Sequence, residues 1–176
     1  MNSQIPFAPD LSMTRKILAG IRVSPGKGFA RTIIEGDRIL SIPVVGGSGI
    51  LKRSDINLDK IMISDHGRWR QEHLGAINAT YGKTPYFPYI FPELEKIYGE
   101  KSNGSLGEFN QELFEFVYRF LDVDSIRKAI DEMNLINPQR LRQLKGELET
   151  KVNLNYSIFD ALFRLGKNTA FVIFDD

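Results

Sequence analysis

Cysteine is absent from the chain, which excludes a disulfide framework, a thiolate zinc site and a cysteine nucleophile together. A bias of charge is absent too. Lys and Arg number 23 against 22 Asp and Glu, so no strong overall field exists to neutralise a run of phosphates. Nucleic-acid binding is therefore not expected. No apolar run approaches the roughly 20 residues that span a bilayer. The opening Met1-Asn2-Ser3-Gln4-Ile5-Pro6 lacks the basic and then apolar pattern of a secretory leader. A cytoplasmic protein with no membrane insertion is the expectation.

What the sequence does hold suits a globular core. Hydrophobic residues make up 42% and charged residues 26% of 176, and twelve Phe with six Tyr supply large apolar side chains. That length and balance predict one domain over residues 1–176.

The first half reads as strands and the second as helices. The expected class is mixed α/β (α+β): a small sheet of N-terminal strands, joined by a C-terminal strand, packed by a helical second half. Residues 15–23 and 29–35 carry β-branched side chains around the turn Pro25-Gly26-Lys27-Gly28. Gly36-Asp37 separates Thr32-Ile33-Ile34 from Ile39-Leu40-Ser41-Ile42. Glycine at the first turn position accepts positive φ, which predicts a type II′ hairpin. Asp59 to Ser64 reads as another strand, and the apolar run Ala170 to Phe174 as a buried C-terminal one.

Helical spacing begins at Arg68. From there to Thr80, Trp69, His73, Ala76 and Ile77 fall on one face. A short helix is predicted to start at Pro92, since proline suits a first helical position. Over 106–121, Ser105 and Glu108 form a capping box ahead of a stripe including Phe109, Leu113, Phe116 and Val117. Asp124 is read as the cap of a helix carrying Ile126, Ile130 and Met133. Asn137-Pro138 opens another with Leu141, Leu144 and Leu148 inward. A final helix from Tyr156 to Leu165 stops at Gly166, a C-cap residue.

One stretch carries a longer pattern. Leu40-Ser41-Ile42-Pro43-Val44 and Ile61-Met62-Ile63-Ser64 precede Trp69, His73, Ile77, Tyr81, Lys83, Pro85, Phe87 and Tyr89, spaced Trp-x3-His-x3-Ile-x3-Tyr-x-Lys-x-Pro-x-Phe-x-Tyr. Phe109-Asn110 and Phe120-Leu121-Asp122-Val123 follow, and Leu154 to Phe163 makes a second patch. This combination resembles the WbqC-like family of bacterial surface-polysaccharide gene clusters, over most of the chain after residue 30. The opening differs: Gln4-Ile5-Pro6-Phe7-Ala8-Pro9 stands where family members carry a His-Gln-Pro-Asn-Tyr or Leu-Pro-x-x-Tyr type motif. The resemblance implies O-antigen or other surface-glycan biosynthesis. It also implies transfer of an acyl or aminoacyl group to a nucleotide- or lipid-linked sugar, and it names no cofactor.

On that resemblance, Trp69 and Tyr89 would position a sugar or sugar nucleotide. His73 would accept a proton, Lys83 or Arg31 would stabilise phosphate charge, and Tyr81 and Asn110 would complete the substrate contacts. Trp69 and His73 lie one helical turn apart, and a neutral imidazole is a natural general base. The opposing reading makes Trp69 core and leaves His73 satisfying a buried carbonyl. The aromatics around Lys83 could equally pack a loop against the sheet, and Asn110 could tie one down. His66 and His73 with Asp65 or Glu72 match no metal motif with a mechanical reason, so no metal is expected. Gly46-Gly47-Ser48-Gly49 ahead of Lys52-Arg53 lacks the Walker and dinucleotide spacings and reads as a flexible loop. The charges of Arg140, Arg142, Lys145, Glu147 and Glu149 read as a solvated helix face. The alternative to an enzyme is a non-catalytic partner or scaffold module of the same pathway, with the family's opening motif lost.

Overall fold

The computed structural model describes residues 4–19, 27–53, 55–99 and 104–174. Among the described residues, strand propensity is realised in one place. The segments flanking Gly36 form β1 (Arg31–Ile34) and β2 (Arg38–Ser41), an antiparallel pair with Ile33 opposite Ile39 and Thr32 opposite Leu40. Thr32, Ile34 and Leu40 turn into the core while Arg31, Ile33 and Ile39 stay exposed, the alternation a pleated strand imposes. The hairpin is as expected, but its turn is not type II′. Three residues, Glu35-Gly36-Asp37, join the strands, and φ is positive at both Gly36 (79°) and Asp37 (55°). A type II′ turn needs positive φ at its first central residue alone.

Helices make up most of the rest. The first expected strand is instead entered by α1 (Leu11–Leu18), which starts because the Asp10 carboxylate accepts the Met13 N–H at 2.7 Å. Residues 20–23 of that expected strand, with Pro25 and Gly26 of its turn, lie outside the described residues. The expected strand over 59–64 is also replaced. Leu58–Lys60 is a 3₁₀ turn, and Met62 and Ile63 make single bridges to Ser105 and Val44.

α2 (Trp69–Tyr81) follows the predicted face closely, whereas α3 (Phe87–Gly99) begins five residues before Pro92 and holds it inside. α4 (Leu106–Leu121) has the full capping box: Glu108 N–H donates to Ser105 Oγ and Ser105 N–H to Glu108 Oε2, both at 3.1 Å. Asp122, in the left-handed region at φ 50°, turns the chain into α5 (Val123–Ile136), with Asp124 in its first turn rather than at its cap. α6 (Pro138–Glu149) opens on Asn137, whose side chain accepts the Arg140 N–H at 3.0 Å. α7 (Ile158–Leu165) ends at Gly166 as predicted, at φ 55°. A Cβ on Gly166 would lie 2.4 Å from the Tyr86 ring, so the close approach of α7's end to that ring requires glycine.

The expected C-terminal strand is a helix, α8 (Thr169–Ile173). Its burial was legible, with Ala170, Val172 and Ile173 all in the core. Its form was not, because a five-residue apolar run has no period that separates strand from buried helix. The sheet also has no free place for it there: the Ile33 carbonyl, on the outer edge of β1, already accepts the Ser157 N–H at 2.7 Å. One apolar cluster joins the segments, running from Phe7 through Leu40, Trp69, Leu94 and Phe109 to Ile173.

Candidate functional site

Residues Trp69 and His73 begin α2 and point the same way, as their spacing dictates. That way is inward. They are 6% and 4% exposed, and they meet Phe7, Tyr98 of α3 and Phe109 of α4. His73 stacks on Phe7 at 5.7 Å and takes Trp69 edge-on at 5.1 Å and Tyr98 at 5.8 Å, while Phe109 packs edge-on to Trp69 and to Tyr98. Offset and edge-to-face pairs of this kind are the favoured arrangements of aromatic rings. Arg70 covers a face of the indole, its guanidinium 4.5 Å from the ring centre, and donates to the Tyr98 carbonyl at 3.2 Å.

Both ring nitrogens of His73 are occupied. Nε2 lies 3.1 Å from the Ser41 carbonyl and Nδ1 lies 3.3 Å from the Tyr98 hydroxyl. A carbonyl only accepts, so Nε2 carries the proton, and Nδ1 then accepts from the Tyr98 O–H. Burial pushes the imidazole pKa down to about 4; the Ser41 carbonyl opposes this, and the positive charge of Arg70 adds to it. Burial likewise pushes the Tyr98 phenol above its usual range. The arrangement is a neutral, satisfied imidazole in an apolar cage. A general base must present its lone pair to a substrate proton within hydrogen-bond reach; here that lone pair faces Tyr98.

The other sequence-derived candidates are placed elsewhere. Tyr81 is fully buried, stacked on Phe163 at 4.8 Å, with its hydroxyl accepting the Glu35 N–H at 3.3 Å; burial raises its pKa. Asn110 is 1% exposed, and its amide donates to the Ile5 and Phe29 carbonyls at 2.8 Å each, so it pins the entering chain to α4. Its Oδ1 has no partner among the described residues, and the residue lines a cavity of about 10 Å³, room for about one water. Arg31 is exposed on β1, Lys83 is exposed just after α2, and Tyr89 is 70% exposed on α3. Of these seven residues, hydrogen bonds and ring contacts among the described residues join only Trp69 with His73.

The bland alternatives have equally definite geometry. Gly46 and Gly47 adopt positive φ in an exposed loop, and Arg53 pairs with Asp55 at 3.1 Å. His66 is exposed ahead of α2. Among the described residues no three His, Asp or Glu side chains gather as a metal site, and no helix is long and apolar enough to cross a membrane. The partners of His73 were missed in the sequence. Tyr98 follows Leu94 by four residues on α3, a helical signal that the prolines at 85, 88 and 92 obscured.

With this geometry in place, comparison with known proteins adds one finding. The sequence model of the WbqC-like protein family matches residues 30–155, from the residue before β1 to the loop before α7. No curated protein and no solved structure matches the chain.

Proposed function

We propose that this chain, which belongs to the WbqC-like protein family, takes part in bacterial surface-polysaccharide assembly, O-antigen included. In this reading it is a cytoplasmic partner module that binds a nucleotide- or lipid-linked sugar, and His73 serves the fold rather than the chemistry. The family match supports the pathway, and the observation that carries the non-catalytic role is the saturation of His73: two hydrogen bonds and a ring stack hold the imidazole among aromatic neighbours. Freeing it for proton transfer would leave the buried Tyr98 hydroxyl unpaired, a cost of about 1–3 kcal/mol, and would also break the partly buried bond to the Ser41 carbonyl.

A second reading, a transferase of the same pathway with His73 as base, has one observation in its favour. The depressed pKa keeps the imidazole neutral at pH 7, as a base must be. A thermal-shift screen of nucleotide sugars on the wild type and on His73→Phe separates the two, since a ligand that favours the native state raises its melting temperature. The partner reading predicts shifts of similar size in both proteins, measured from each one's own baseline, with no turnover in either. Turnover in the wild type, lost in His73→Phe while binding persists, would establish the transferase instead. No shift with any sugar nucleotide or lipid-linked sugar would refute the sugar-binding part.

A further inference from the structure

Residues of α1, α5 and α8, with Ala19 and Phe174 beside them, border an open groove of about 380 Å³. That size lies within the roughly 300–1,000 Å³ usual for small-molecule sites. Among the described residues, Arg15, Lys16 and Arg127 bring three positive charges to the groove, and Asp131, with Glu149 at 3.5 Å from Arg15, two negative charges, a local excess of one. Lys16 and Arg127 are the cations that lie away from that Arg15–Glu149 pair. Ile130, Ile173 and Phe174 supply an apolar wall beside them.

Two of the cations are held in place. Arg15 donates from Nε and Nη2 to the Val172 carbonyl at 3.2 and 2.5 Å, and lies 3.5 Å from Glu149. Arg127 stands over the Phe174 ring at 4.8 Å and donates to the Leu18 carbonyl at 3.4 Å. A guanidinium has five N–H donors in a fixed fork that suits phosphate oxygens. Anchoring it beforehand lowers the ordering cost of gripping a ligand. Lys16 is exposed on α1 and adds a mobile point charge. Arg15, Lys16, Ile173 and Phe174 lie outside the family-matched segment 30–155, whereas Arg127, Ile130 and Asp131 lie within it. The groove thus forms where α1 and α8 meet α5 of the matched segment.

We infer that this groove binds a diphosphate ester, with the phosphates against Lys16 and Arg127 and an apolar or planar organic half against Ile130, Ile173 and Phe174. The inference deepens the sugar-binding reading above, on which the sugar part of the ligand rests. The diphosphate chemistry is shared by nucleotides and by isoprenoid carriers, so the probes must separate them.

The test titrates the full-length chain with inorganic pyrophosphate, UDP and geranyl diphosphate, in the wild type, Lys16→Glu and Asp131→Asn. Both altered positions are exposed, so neither substitution threatens the fold. Pyrophosphate is expected to bind, about tenfold more weakly in Lys16→Glu and about threefold more tightly in Asp131→Asn, as loss of a like charge from the groove dictates. Tighter binding of UDP than of pyrophosphate identifies a nucleotide half, and tighter binding of geranyl diphosphate a lipid half. No gain from either overturns the role of the apolar wall. Failure of all three probes to bind, or affinities indifferent to both substitutions, overturns the site. If sugar nucleotides bind equally in wild type and both variants, the groove is wrong and the sugar-binding reading stands. If pyrophosphate follows both charges and no sugar ligand binds anywhere, the groove stands and that reading falls.

Discussion

Acidification should destabilise this protein through a single imidazole, and the size of the effect follows from its burial. His73 has a folded pKa of about 4 against an ordinary 6.5. Below pH 6.5 the unfolded chain takes up a proton at this residue while the native state refuses it until about pH 4. The unfolded state therefore binds more protons across that window, and stability falls as pH falls. The contribution is complete above pH 6.5 and lost progressively between there and pH 4. At about 1.4 kcal/mol per pKa unit, lowering the pH from 7.5 to 5 removes about 2 kcal/mol, rising to about 3 kcal/mol at pH 4. Carboxylates elsewhere also titrate, so the informative quantity is a difference. Urea midpoints measured from pH 7.5 to 4.5 on the wild type and on His73→Phe should converge as pH falls, because only the wild type loses this term. The variant begins lower, having lost a buried hydrogen bond to Tyr98 and a partly buried one to Ser41. NMR titration of the two imidazoles, told apart with His66→Asn, reads the same property directly. Parallel pH profiles for wild type and variant, or an NMR pKa for His73 near 6.5, would refute the reasoning.

Two further substitutions probe the same architecture. Asn110→Leu removes both amide bonds to Ile5 and Phe29 and leaves two buried carbonyls unpaired; chemical denaturation should show a loss of about 2–4 kcal/mol, with sugar-nucleotide binding per folded molecule unchanged. Gly166→Ala forces a Cβ against the Tyr86 ring at a positive φ and should lower stability by about 2 kcal/mol or more, partly rescued when Tyr86→Ala is added.

The parts of the fold that could be read from the sequence are those written in local chemistry. Ser105 with Glu108, Asn137 ahead of Pro138, and Gly166 at the end of α7 each state a helix boundary within a few residues, and each is where it was expected. The hairpin was legible for the same reason, through Gly36 between two β-branched runs. α8 was misread because a five-residue apolar run shows no period, and α1 because its residues favour a strand. The β-branched residues of 15–23 outweighed, on paper, a capping bond from Asp10 that starts the helix upstream. At the candidate site, the shared face of Trp69 and His73 was legible from their spacing. What that face looks at was not. The partners that fill His73's two nitrogens, Ser41 and Tyr98, arrive from 32 and 25 residues away, and an imidazole is as compatible with a cleft as with a core. The groove was hidden for a similar reason, since Lys16 and Arg127 share no motif and are brought together only by the packing of α1 near α5 and α8.

Trp69 is the only tryptophan in the chain, so its fluorescence reports the centre of the aromatic cage without interference. Acrylamide and iodide quenching of the native protein, repeated with saturating sugar nucleotide, is the most direct test. A sheltered indole beside a structural histidine predicts short-wavelength emission, weak quenching by acrylamide, almost none by iodide, and no change when ligand is added. Long-wavelength emission open to iodide, and shielded once a sugar nucleotide binds, would mean that the cage is a binding cleft after all.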